Sequence, residues 1–164
     1  VDLQSALDDK PTGDNAAQLL RADHGKLREL FAGYARAVRE GWDTRPGLAE
    51  ELAMELELHS RVEEELLYPA IAEREAQFLS AARAAHEQMD RRLAQMKQRE
   101  LRTDDYDRAV RELEGLFRPH ADDEDAMLLR LEQHAPQMLV GLQRKIEARK
   151  EAAAGSTQEL EGRS

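Results

Sequence analysis

Four histidines, His24, His59, His86 and His120, fall one to each of four stretches with helical apolar periodicity, and two of them carry a glutamate four residues later. The pairs are His59 with Glu63 and His120 with Glu124. Side chains four apart lie on one face of an α-helix, so imidazole and carboxylate point the same way. A chain that puts such pairs on its apolar seams must either bring them together or bury each uncompensated, at several kcal/mol apiece. Few folds satisfy that demand, and a helical bundle holding metal in its core is one of them.

The seams predict where the helices run. The first spans about Asp14, an N-cap candidate, to Gly41, a C′ glycine, with Leu20, His24, Leu27, Phe31, Tyr34 and Val38 inward. The second begins at Thr44-Arg45-Pro46 with Thr44 as cap, carries Leu52, Leu56, His59, Glu63 and Leu66, and should stop or bend sharply at Pro69. The third covers 71 to 99, with Leu79, Ala82, His86, Met89, Leu93 and Met96 inward. Thr103 caps the fourth, whose seam runs from Tyr106 through Phe117, His120 and Glu124 to Leu131. Pro136 opens a short fifth helix to about Lys150. The expected fold class is all-α: an up-down four-helix bundle with a short C-terminal helix. It occupies residues 14–150, between a flexible N-terminal arm over 1–13 and a disordered tail over 151–164.

Spacing brings the histidines to one level. His24 lies about 19 residues before the first turn and His59 about 16 after it, while His86 and His120 stand about 16 and 18 from the last. At roughly 1.5 Å per residue these differences are only about 3–5 Å. One histidine on an apolar seam is ordinarily a core residue satisfied by hydrogen bonds. Four with two glutamates, and no inward Arg or Lys to pair them, favour metal.

Composition narrows the chemistry. With no cysteine in 164 residues, disulfides, iron–sulfur clusters and thiolate catalysis are excluded, and a metal must take N and O ligands. A net charge of −10 argues against nucleic acid as a partner. No apolar run reaches the roughly 20 residues of a membrane span, and the start lacks a secretion-signal pattern, so the cytoplasm is the expected location.

The pattern Asp23-His24, His59-x-x-x-Glu63 followed by Leu66-Leu67-Tyr68-Pro69, a lone His86, and His120-x-x-x-Glu124 resembles the hemerythrin-like cation-binding family over about residues 15 to 135. The resemblance implies a four-helix bundle with two non-haem irons, bridged by two carboxylates and an oxo or hydroxo group. It implies Glu63 and Glu124 as the bridges, His24 and His59 on one iron, and His86 and His120 mainly on the other. Oxygen-carrying members have a further histidine four residues after that of the third helix, where this chain has Asp90. Asp90, about 40° around the helix from His86, is a further candidate ligand, with a salt-bridged surface acid beside Arg91 and Arg92 as the alternative. Members also commonly use an aspartate five residues after the fourth-helix histidine, here Asp125. Geometry prefers Glu124, about 40° from His120 against about 140° for Asp125, unless a bulge near Pro119 rotates the helix.

Other polar residues have simpler readings. His134 suits a helix C-terminus, and Glu55, one turn before His59, is the nearby acid most worth following. Leu27, Leu56, Met89, Phe117 and Met127 should wall the pocket and admit only small ligands. The expected function is binding or reaction of dioxygen, nitric oxide or peroxide at the iron pair. A di-iron redox enzyme, an iron storage or sensing protein and a metal-free structural bundle are the alternatives.

Overall fold

The computed structural model describes residues 15–162 and contains only helices among them. Four long helices form the bundle: α1 (Ala16–Glu40), α2 (Arg45–Val62), α4 (Ala76–Lys97) and α5 (Asp104–His134). Between α2 and α4 the chain passes through a π-helical turn (Glu63–Leu67) and a short α3 (Tyr68–Ile71). The last helix, α6 (Pro136–Glu161), lies outside the four and packs on α1, α2, α5 and the π turn. The most extensive pairings are α1 with α2 and α4 with α5, each joined by a short connection as antiparallel neighbours, and then α1 with α5. The expected N-terminal arm lies outside the described residues.

Local chemistry sets the helix ends. Asn15, rather than Asp14, caps α1, its side chain accepting from Gln18 N at 3.0 Å. Gly41 closes α1 in the left-handed region at φ 66°, with Trp42 N donating to Ala37 O at 2.9 Å. Thr103 caps α5 by accepting from Tyr106 N, with Asp104, Asp105 and Asp107 in the first turn. Thr44 does not cap α2: its backbone is already helical and its hydroxyl bonds no turn amide.

One expectation about prolines fails, and one alternative left open is not taken up. Pro69 does not end the helix where it stands: the π turn just before it absorbs an extra residue, Tyr68 N donating to Glu63 O five back, and helical backbone continues to Ile71. Pro119 leaves α5 unbroken and without a bulge. It faces solvent, where water can satisfy the carbonyl it cannot donate to.

The C-terminal helix is 26 residues long rather than short, and runs through most of the stretch expected to be disordered. Glu151 and Ala152 to Ala154 are good helix formers, and Gly155 alone costs only about 1 kcal/mol. Ser156 and Thr157 return their hydroxyls to Ala152 O and Ala153 O instead of breaking the ladder.

The apolar core is split in two. One part gathers Leu27 to Tyr34 of α1, Ala49 to Leu56 of α2, Met89 to Met96 of α4 and Tyr106 to Ala121 of α5. The other gathers Ala16 to Leu20, Val62 to Ile71, Leu79, Ala82, Met127 to Leu131, and Leu139, Leu142 and Ile146 of α6. On every bundle helix the polar seam residues fall between the two. No helix among the described residues is long and apolar enough to cross a membrane.

Candidate metal centre

His24, His59, Glu63, His86, His120 and Glu124 are all buried in the layer between the two cores. Their donor atoms form two groups, His24 with His59, Glu63 and Glu124, and Glu63 with His86 and His120, each set lying within 4.8 Å. Glu63 belongs to both. Its Oε1 is 2.5 Å from His59 Nε2 and 3.7 Å from His24 Nε2. Its Oε2 is 2.9 Å from His86 Nε2 and 3.7 Å from His120 Nε2. Glu124 likewise spans the groups, with Oε1 3.5 Å from His24 Nε2 and Oε2 3.6 Å from His120 Nε2.

Outer carboxylates orient three of the rings. His24 Nδ1 is 2.6 Å from Asp125 Oδ1, His59 Nδ1 is 3.2 Å from Asp23 Oδ2, and His86 Nδ1 is 2.9 Å from Glu64 Oε1. An ionised carboxylate only accepts, so each Nδ1 carries the proton and donates it outward. Each Nε2 then turns its lone pair inward. Yet His24 Nε2 and His59 Nε2 are 3.1 Å apart, as are His86 Nε2 and His120 Nε2. Two lone pairs at that distance repel unless a proton or a cation lies with them.

The charges show which protons do so. Burial disfavours charge on His24, but Asp125, Glu124 and Glu63 outweigh it and raise its pKa to about 11. Burial likewise opposes His59, and Glu63 and Asp23 raise it to about 9. Burial, then Glu63, pushes Glu124 up to about 8. Glu63 is buried too, yet the imidazoles of His59, His120 and His24 hold it well below the usual carboxylate range. His120 is lowered, with burial the main cause.

The donors fit a cation. Glu63 Oε1 and Glu124 Oε1 are buried and accept no hydrogen bond, although His59 approaches the first closely without alignment. Buried carboxylate oxygens left unpaired are costly, and a bound cation is one arrangement that satisfies them. Imidazole with carboxylate, and no thiolate, suits iron, manganese or zinc.

Tyr68 is the site residue that spacing did not single out. Its hydroxyl is 2.9 Å from His86 Nε2 and donates toward Glu63 Oε2 at 3.2 Å and Glu124 Oε2 at 3.3 Å. In a regular α-helix five residues rotate about 140°, which would turn Tyr68 away from Glu63. The π turn, with its five-residue hydrogen bonds, stacks them. Pro69 was the available signal, since a proline inside a helix calls for some such distortion. Burial, then Glu63 and Glu124, pushes the phenol well above its ordinary pKa, so it keeps its proton.

The remaining candidates lie elsewhere. Asp90 is exposed and belongs to neither donor group. It lines a surface pocket of about 410 Å³ between α2 and α4 with Ser60, Glu64 and Lys97. Asp125 is in the outer layer, on His24 Nδ1 and Arg28. Glu55 pairs with Lys26 at the surface, and His134 is exposed in the last turn of α5. Phe117 meets His24 edge-on with ring centroids 6.1 Å apart, and Leu27, Leu56, Met89 and Met127 are buried in the cores above and below.

A model of the family described as hemerythrin HHE cation binding domain matches residues 15–131. A crystal structure of a hemerythrin HHE cation binding domain-containing protein from Mycobacterium kansasii superposes with a TM-score of 0.70 at 24% identity. The match covers 88% of this chain and 90% of that one, and it establishes the shared fold. Among curated proteins none matches.

Proposed function

The chain belongs to the hemerythrin HHE cation-binding family, and from that membership we propose that it is a non-haem di-iron protein that binds or reacts with a small molecule such as dioxygen, nitric oxide or peroxide. The observation that carries the reading is the sharing of Glu63 by two buried donor groups, with one oxygen facing each. Glu63 and Glu124 would bridge two ions, His24 and His59 would complete one position, and His86 and His120 the other. Tyr68 supplies a further oxygen beside the second position. An iron pair would contribute redox chemistry and affinity for diatomic or peroxide ligands.

The protein's own groups do the rest. Asp125, Asp23 and Glu64 hold three imidazoles with Nε2 inward, a support whose loss typically weakens metal binding about 10–100-fold. The two apolar cores keep water from the layer and limit what reaches it to small molecules. Tyr68 holds a proton at its hydroxyl, within hydrogen-bonding range of Glu63, Glu124 and His86. That proton favours a second reading, turnover of peroxide or oxidase chemistry, because O–O cleavage consumes protons where a carrier returns its ligand unchanged.

The test is metal analysis of anaerobically loaded protein, followed by optical spectra on adding dioxygen, nitric oxide and peroxide in turn. A reversible coloured adduct supports a binder, and sustained peroxide loss supports an enzyme. Protein with no bound metal and stability unchanged by chelator would overturn both. Tyr68→Phe is expected to keep two ions, since every imidazole and carboxylate donor remains and only the hydroxyl beside Glu63, Glu124 and His86 is lost. It should slow peroxide turnover at least about tenfold if the phenol is the proton donor. Stopped-flow rates for variant and parent check this.

A further inference from the structure

The outer layer of the centre extends to α6. Lys150 donates to Asp23 Oδ1, and the other oxygen of that carboxylate, Oδ2, accepts from His59 Nδ1 at 3.2 Å. His24 has a similar arrangement within the bundle, where Arg28 holds Asp125 at 3.1 Å and Asp125 holds the ring. For His59 the cation comes from outside the four helices. Helix α6 is anchored by Leu139, Leu142 and Ile146 in the core, then by Arg149 on Glu65 and Lys150 on Asp23. Past Lys150 nearly every residue of known burial is exposed, and among the described residues these two are the last ion pairs that α6 makes with the bundle.

We infer that Lys150 is a positioning residue for His59, acting through Asp23, so that α6 helps to build the metal centre besides covering it. A carboxylate bound by a cation on one oxygen has a fixed rotamer. The second oxygen is then pinned on His59 Nδ1, which locks the ring with Nε2 toward Glu63. Without Lys150, Asp23, which is largely buried but at the edge of the layer, can swing toward water and release the ring. The inference rests on the proposed metal-binding function.

The experiment uses the full chain and anaerobic titration with ferrous iron against a competing chelator, with cobalt(II) spectra as a second readout. Lys150→Met keeps the aliphatic stem and removes the charge. It is expected to weaken uptake about tenfold and to shift the cobalt ligand-field bands. Lys150→Arg should restore most of the affinity. Arg149→Met removes the adjacent anchor, which touches no imidazole, and should stay within about twofold of the parent while leaving the bands in place. Lys150→Met titrating like the parent would overturn the inference, as would Arg149→Met costing as much, which would reduce Lys150 to docking α6. Parent protein that takes up neither metal would overturn the metal reading itself, and this inference with it.

Discussion

On the proposed di-metal reading, Glu63→Ala is expected to lose both ions, where His59→Ala loses chiefly one. The difference follows from geometry: His59 belongs to one donor group, while Glu63 directs Oε1 to His24 and His59 and Oε2 to His86 and His120. Removing a carboxylate shared by the two donor groups would leave each position short of a ligand and of negative charge. Affinity should fall by more than about 100-fold, beyond the range seen when outer-layer partners are removed. Metal content of ferrous-loaded, desalted protein reads this directly. Glu63→Gln preserves side-chain volume and serves as the folding control, checked by circular dichroism. One ion retained at full occupancy in both variants would assign the bridge to Glu124 alone.

Metal loading is expected to raise the melting temperature, and by more as pH rises. A ligand at 100 times its dissociation constant adds about 2.7 kcal/mol, which for a domain of this size is about 5–10 °C per ion. The pH dependence comes from the protons that stand in for metal. Folded metal-free protein holds His24 at about 11 and His59 at about 9, against an ordinary value of 6.5 in the unfolded chain. Above 6.5 the folded state therefore binds more protons than the unfolded state, and stability falls as pH rises. This contribution is complete below 6.5 and is lost as pH climbs through 9 toward 11. Glu124, raised from 4.5 to about 8, acts in the same direction, its contribution complete below 4.5 and lost as pH climbs through 8. Glu63, held low, acts oppositely, its stabilisation present above 4.5 and lost in acid. A bound cation replaces the histidine and Glu124 protons, so loaded protein should lose little between about pH 6.5 and 9 while metal-free protein melts progressively earlier. Scanning calorimetry at several pH values, with and without chelator, decides it. A gap that stays constant with pH would mean that metal uptake displaces no protons.

The same proton exchange should appear in binding. Uptake at a position whose histidines are protonated must release protons, so apparent affinity should rise up to about tenfold per pH unit for each proton displaced. Isothermal titration in buffers of different ionisation enthalpy counts those protons.

How far the site could be read from the chain differs by layer. The six inward donors follow from periodicity, because residues three and four apart share a helix face and equal distances from a turn share a level. The structure brings those six together, and leaves Asp90 at the surface. The outer layer could not be read this way. Asp23 and Lys150 are 127 residues apart, and Glu64 looks in sequence like an ordinary surface acid beside Glu65. Which acid reaches which Nδ1 depends on how each helix is rotated against its neighbours, a quantity fixed by packing over the whole interface. Asp125 shows the point. It is about 140° from His120 on its own helix, so it cannot join that ring, but it lies against His24 on the neighbouring one.

Local sequence by itself determined the helices, their seams and the choice of N and O ligands, because propensity, capping and side-chain period act within a few residues. Tertiary structure decided the rest. The π turn that brings Tyr68 beneath Glu63 and the seating of α6 so that Lys150 meets Asp23 both lie beyond that local range. Each is a compromise between distant surfaces: a proline is accommodated where the core needs a tyrosine, and an amphipathic last helix takes the uncovered face of α1 and α2. Such compromises depend on the free energy of the assembled molecule, which no window of a few residues contains.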